Sequence, residues 1–399
     1  MQPLSLDDPS TRRTNGGFAL FALGFRPFFL LAGLGGTLLL AAWIWGFSHP
    51  AMLAGYYGPL VWHGHEMVYG FTPAVVAGFL LTAIRNWTGV PTLRGLPLAL
   101  LAGLWLAGRL LPWIPGIPGG VIALVDFAFL PLLALAAAWP LVRARHHKSL
   151  MFIAILLGLA AGNGLVHGDR LGWFQGTAQG GLYLGVYLLV LLMVIMGGRV
   201  IPFFTEKALP GVQPRRHGWV EWVAPWSILA LALLQLVTLP PVVTGLLALL
   251  AAVANGVRLG GWYSKRIWRV PILWVLHLGY AWLVLGLLLV AGTAFGLGNA
   301  FSALHALTVG GLGLITLGMM TRVALGHTGR MMKAPPPIPL AYGLLLLSAL
   351  VRVFPPLFLD RYHVLWVNLA GGLWVLALGL FTWRYAPILI RPRVDGRPG

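Results

Sequence analysis

Residues 62–68 read Trp-His-Gly-His-Glu-Met-Val, and they concentrate the groups most able to do chemistry: two imidazoles, a carboxylate and a thioether. On a helix His63 and His65 point about 200° apart, so only one of them faces a given neighbour. His63 and Met67 share one face at i, i+4 spacing, as do His65 and Tyr69. Imidazole with thioether suits copper, and imidazole alone suits haem iron. Hard cations would want more carboxylate than nine acidic residues in the chain supply. Glu66 has three roles open to it: holding an imidazole N–H, relaying protons, or sitting as an acid at a membrane interface.

The rest of the composition says what must position these groups. Of 399 residues 59% are hydrophobic and 9% charged, where a soluble domain carries roughly 25% charged. The chain reads as an all-α, polytopic integral membrane protein. Cysteine is absent, which excludes disulfides, thiolate-held clusters and covalent c-type haem. Any metal is therefore held by histidine, methionine, carboxylate or a cofactor ring.

Twelve apolar segments are expected, at about 27–47, 64–84, 96–113, 121–142, 149–166, 181–202, 219–238, 241–259, 271–296, 299–324, 338–355 and 362–383. They form one membrane domain, 27–383, between a short N-terminal tail, 1–26, and a basic C-terminal tail, 384–399. With both tails cytoplasmic, every lysine and arginine except Arg109, Arg170, Arg352 and Arg361 falls on the inner side. Arg12 and Arg13 read as positive-inside charge rather than an export signal. The net charge of +18 is thus a topology signal with anionic lipid as its partner, and nucleic acid is not needed to explain it.

This orientation sorts the eleven histidines. His146, His147 and His217 lie in inner loops. His49, His63, His65, His167, His305 and His363 gather at the outer face, where at least two are expected to share a metal or haem. The tenth segment, from His305, echoes the second at an offset of 240: His65 with His305, Gly70 with Gly310, Gly78 with Gly318, and Thr88-Gly89 with Thr328-Gly329. The glycines permit close approach of a neighbouring helix or of a flat macrocycle. Two histidines at like depth on separate helices are what a bis-imidazole haem needs. His63 or His65 would pair with His305 on haem, and the other, with Met67, His49 or His363, would take copper.

On the inner side, GFRPFF (24–29) and GGRVIPFFT (197–205) each set an arginine beside Pro-Phe-Phe or close to it. Arg26 and Arg199 read either as interfacial anchors or as binders of an anion such as a haem propionate or quinone head group. Arg322, His327, Glu206 and Asn86 fall at the same level. His277, roughly 9 Å deep by helical rise, is the candidate for an inner ligand.

These stretches carry a resemblance. GFRPFFLLAGL, WHGHEM, GFLLTAIRNWTG, GGRVIPFFT, HLGYAWL and HALTVGGLGLITLGMMTRVALGHTGR resemble, in order and over nearly the whole chain, the motifs of the NnrS family. The resemblance implies a twelve-helix bacterial inner-membrane protein with copper and haem, here non-covalent and b-type, associated with denitrification and with defence against nitric oxide and nitrosative stress. The layout is also similar to that of haem–copper oxidases and nitric oxide reductases, whose second and tenth helices ligate a low-spin haem. Helices 6 and 7 here lack histidine, however, so that family's copper triad has no counterpart. The expected function is a membrane haem–copper protein that binds or handles nitric oxide or iron–nitrosyl species, its electron donor unspecified. The alternatives are a proton-coupled transporter, against which the lack of a buried acid pair counts, and a non-catalytic sensor or assembly factor.

Overall fold

The computed structural model describes residues 17–53, 55–237 and 239–397. Arg12, Arg13 and the remainder of the tail up to residue 16 lie outside the described residues. Within them the regular structure is entirely helical, and twelve helices are long and apolar enough to cross a bilayer. They are α1 (Phe25–Ser48), α2 (Pro59–Thr88), α3 (Leu96–Trp113), α4 (Gly119–Arg143), α5 (His147–Arg170), α6 (Ala178–Ala208), α7 (Gly218–Leu236), α8 (Pro241–Trp262), α9 (Pro271–Ala294), α10 (Ala300–His327), α11 (Ile338–Phe358) and α12 (His363–Ile390).

Each expected segment corresponds to one helix, and the differences lie at the ends. Hydropathy marks the lipid-crossing stretch, whereas helical hydrogen bonding continues until a residue breaks it. Helix α2 begins at Pro59, after Gly58 at φ 71°, and stops at Gly89, whose φ of 69° is one that L side chains rarely adopt. His63 and His65 therefore lie inside a helix whose first turn precedes them, and not at its start.

Burial separates central from peripheral helices. The apolar windows of α2 and α6 are each 83% buried and that of α10 67%, against 33% for α3, α7 and α12. Helix α2 packs against α1, α4 and α6 and approaches α10, while α12 runs along α1 and closes the bundle. Central helices with no lipid-facing stripe are where polar side chains can meet one another without exposing charge to hydrocarbon.

Helices α2 and α10 share a backbone irregularity at corresponding places. Each widens into π-helical turns directly after its histidine, over Glu66–Phe71 and over Ala306–Gly313. In α2 the Thr72 hydroxyl donates to Met67 O (2.8 Å). Pro73 brings no N–H, so the carbonyls one turn earlier are short of a donor. Helix α3 supplies the donors: Trp105 Nε1 to Gly70 O (2.9 Å) and Arg109 Nη1 to Tyr69 O (3.2 Å). The irregular turn thus draws the Arg109 guanidinium into the bundle beside Glu66.

Candidate metal and proton site

Four helices bring six polar side chains together at the histidine end of the bundle. They are His65 and Glu66 from α2, Arg109 from α3, Asp126 from α4, and Asn163 and His167 from α5, none more than 5% exposed. Arg109 bridges the two acids, with Nε 2.8 Å from Glu66 Oε2 and Nη2 in contact with Asp126 Oδ1. Asp126 Oδ2 lies 3.1 Å from His65 Nε2 and 2.9 Å from His167 Nε2, and accepts from Asn163 Nδ2 at 2.9 Å. His65 Nε2 also lies 2.9 Å from Asn163 Oδ1, and its Nδ1 faces Glu66 Oε1 at 3.3 Å. Gly70 is what admits this arrangement: a Cβ there would stand 2.8 Å from Glu66 Oε2 and 3.0 Å from Arg109 Nη1.

The charges do not cancel as they stand. Glu66 and Asp126 contribute two negative charges and Arg109 one positive, so neutral imidazoles leave a net −1 in a buried space. Burying an unbalanced charge costs several kcal/mol. One proton shared between His65 and Glu66, or one bound cation, restores neutrality. His65, Asp126 and His167 each offer a ligand atom, all within 4.8 Å of one another. Ligands at about 2.1 Å and right angles stand about 3.0 Å apart, so the observed 2.9 and 3.1 Å suit a first-row ion as well as they suit hydrogen bonds. Two imidazoles and a carboxylate are a donor set for iron, zinc or copper(II).

Two tyrosines connect this group to the rim. Tyr57 OH is 3.3 Å from His65 Nε2, and Tyr56 OH is 3.1 Å from His167 Nδ1. Burial pushes the Tyr56 phenol up to about 12 and that of Tyr57 well up as well, so both stay neutral hydroxyls. Tyr69 shares the His65 face as expected, with ring centroids 5.5 Å apart, and donates to Gly181 O (2.5 Å).

His63 aims the other way. It stacks on Trp43 of α1 (4.3 Å), and its Nδ1 is buried with no hydrogen-bond partner. His305 of α10 lies within electrostatic reach of His63, His363 and Arg352. Its Nδ1 is 2.6 Å from Phe301 O. A carbonyl only accepts, so Nδ1 carries the proton and Nε2 keeps the lone pair that a metal requires. Arg352 Nη1 is buried and also lacks a partner. His363 sits against Phe47 (6.1 Å). His63, His305 and His363 do not come as close together as the first group does, but they and Arg352 supply imidazoles and a cation on one side of α2.

The remaining candidates are dispersed. Met67 is half-buried against the core. His49 stacks on Trp45 (4.7 Å) with Nδ1 3.0 Å from Trp45 O. His277 is buried on α9, bonded to its own helix at Leu273 O (3.0 Å). Arg26 donates through Nη1 to Leu389 O (3.0 Å) and Arg391 O (2.7 Å), tying α1 to the end of α12. Arg199 lies over Phe152 and Arg322 over Phe204, while His327 approaches Asn86 Nδ2 (3.5 Å). The repeated glycines face side chains: Phe29 fills the Cβ direction of Gly78, Trp282 that of Gly310 and Val275 that of Gly318. Of the two uses their spacing left open, close helix packing is the one seen.

Arg109, Asp126 and Asn163 were not singled out from the sequence as site residues, and His167 only as one of the six outer histidines. A signal for Asp126 was present, since an acid seven residues into an apolar helix needs a partner. The expectation that the chain lacks a buried acid pair is corrected, because Glu66 and Asp126 form one through Arg109. Their partnership depends on the packing of α2, α3 and α4, which no spacing in the sequence reveals.

No curated protein matches the chain. The sequence model of the NnrS protein family matches residues 19–393, nearly its whole length. With twelve membrane-spanning helices and the motifs of that family in order along them, the chain belongs to the NnrS family.

Proposed function

We propose that the protein is a bacterial inner-membrane haem–copper protein that binds or handles nitric oxide or iron–nitrosyl species in nitrosative stress or denitrification. The observation that carries this reading is the buried His65–Asp126–His167 group with its unbalanced charge. It asks for a cation, and the family to which the chain belongs implies metal. Copper fits there, held by His65 Nε2, Asp126 and His167 Nε2. Haem would be held on the opposite face of α2 by the imidazoles of His63 and His305, with His363 close by and Arg352 offering a cation to its carboxylates. The buried, unpartnered His63 Nδ1 and Arg352 Nη1 support that placement.

When bound and reduced, copper held by three protein ligands would supply an open position for nitric oxide, and a haem held by two imidazoles would supply electron transfer. The chain's own residues do the rest. Glu66 and Arg109 fix the orientation of His65 and the charge around Asp126. Tyr56 and Tyr57 carry protons between the rim and the two imidazoles. Trp43 excludes water from the His63 face. Quantifying copper and haem in purified His167→Ala, Asp126→Asn and His305→Ala variants tests the assignment. Copper should fall by at least about tenfold in the first two with the haem Soret band retained, and the band should be lost in His305→Ala. Wild-type copper in both of the first two variants would sink the copper placement.

A second reading, proton-coupled transport, draws on the same buried acid pair, since two carboxylates sharing one arginine and one proton can load and release that proton. A wild-type protein free of haem and copper that still moves protons with a solute in proteoliposomes would favour it.

A further inference from the structure

The opposite, arginine-rich end of the bundle holds a second feature, independent of the metal reading. The end of α10 and the segment that follows α12 are tied together by Arg393 Nη1 to His327 O (2.8 Å) and Val394 N to Thr328 O (3.1 Å). Arg330, two residues beyond Thr328, lies within electrostatic reach of Arg384, Arg391 and Tyr385. Guanidiniums within such reach repel one another. Between His327 and the last described residue the carboxylates are Asp360, at the other end of the bundle, and Asp395. Asp395 is committed to Arg393, at 2.9 Å and 2.5 Å.

Two donors in this group lack acceptors. Arg330 Nη1 is buried with no hydrogen-bond partner. Tyr385 is fully buried and stacked on Phe381 (4.8 Å), and its hydroxyl likewise has no partner. A buried donor without an acceptor is costly, and two of them within reach of like charges have the chemistry to receive an anion. A tetrahedral oxyanion offers several acceptor oxygens at once and matches both the guanidinium fork and the hydroxyl.

We propose that Arg330 and Tyr385, with Arg384 and Arg391 at the mouth, form a binding site for a phosphate group, carried either by an anionic lipid headgroup or by a soluble phosphate. The arginine excess identifies this end as the cytoplasmic one, where anionic lipid is concentrated. The site would lock the ends of α10 and α12 together.

The test uses the full chain, purified in neutral detergent and stripped of lipid, with the tryptophan-fluorescence melting midpoint as readout. Micellar phosphatidylglycerol should raise the midpoint and phosphatidylcholine should not. The concentration for half the effect should rise at least about tenfold in Arg330→Gln and in Tyr385→Phe, each of which removes a charge-assisted or buried hydrogen bond. Lys148→Gln, in the first turn of α5, should keep the wild-type value. If inorganic phosphate reproduces the shift with the same dependence on both residues, the natural ligand is soluble. Should Tyr385→Phe fail to fold, Arg384→Gln/Arg391→Gln, at two exposed positions, takes its place. A phosphatidylglycerol response unchanged in these variants, or no response to either phosphate source, overturns the proposal.

Discussion

Removing Arg109 would leave Glu66 and Asp126 in a buried space with only the His65 imidazole between them. Breaking a buried ion pair by deleting one partner costs about 3–5 kcal/mol, whereas removing both ends together costs much less. Arg109→Met should therefore lower the melting midpoint sharply. The triple change Arg109→Met/Asp126→Asn/Glu66→Gln should recover most of that loss, and a cycle of melts measures the coupling. Strictly additive effects would show that the three side chains do not act as a unit. At Gly70 the added methyl of Gly70→Ala meets Glu66 and Arg109 within about 3 Å. Overpacking of this kind costs about 1–3 kcal/mol, and here it should also reduce bound metal, read by elemental analysis.

At the scale of the helix, the π-helical turns of α2 are what let α3 deliver Arg109. Pro73→Ala supplies the missing N–H and favours regular α-helix. Helix propensity alone makes the substitution neutral or stabilising. We expect copper content to fall while the melting midpoint holds or rises, a divergence that simple loss of packing would not produce. The corresponding widening in α10 follows His305 directly. The resemblance between the two helices, weak as a pattern of letters, thus has a structural counterpart at the same register. Elsewhere the GGR of residues 197–199 has a packing role: a Cβ at Gly198 would overlap the Arg258 guanidinium. The space holds Arg258 against Glu221 (2.8 Å) and Tyr280 (2.9 Å).

For the molecule as a whole, the ends of the chain help close the bundle. Arg26 reaches the last carbonyls of α12, and Arg393 with Asp395 docks the tail on the end of α10. The Arg393 hydrogen bond holds the Asp395 carboxyl down from 3.8 to about 2. A depressed carboxylate stabilises above its unfolded value and loses that stabilisation as pH falls through its folded one. Amide exchange at Val394, corrected for intrinsic rate, should thus show constant protection around neutral pH and lose it between about 3.8 and about 2. Protection lost already near neutrality would point to another group.

The sequence by itself determined the class and the number of helices. Hydrophobic length and the distribution of arginines are read one segment at a time, and helices satisfy their own backbones in lipid. It also determined that His63 and His65 point apart, since two residues on a helix differ by about 200° whatever surrounds them. Which neighbours each one faces depended on how α1, α3, α4, α5 and α10 pack around α2. Asp126 and His167 lie 41 residues apart in sequence yet 2.9 Å apart in space, a contact with no local signature. Only the tertiary structure turned a lone buried acid, a rim histidine and a helix-end arginine into one site, because their charges require one another only once the helices have met.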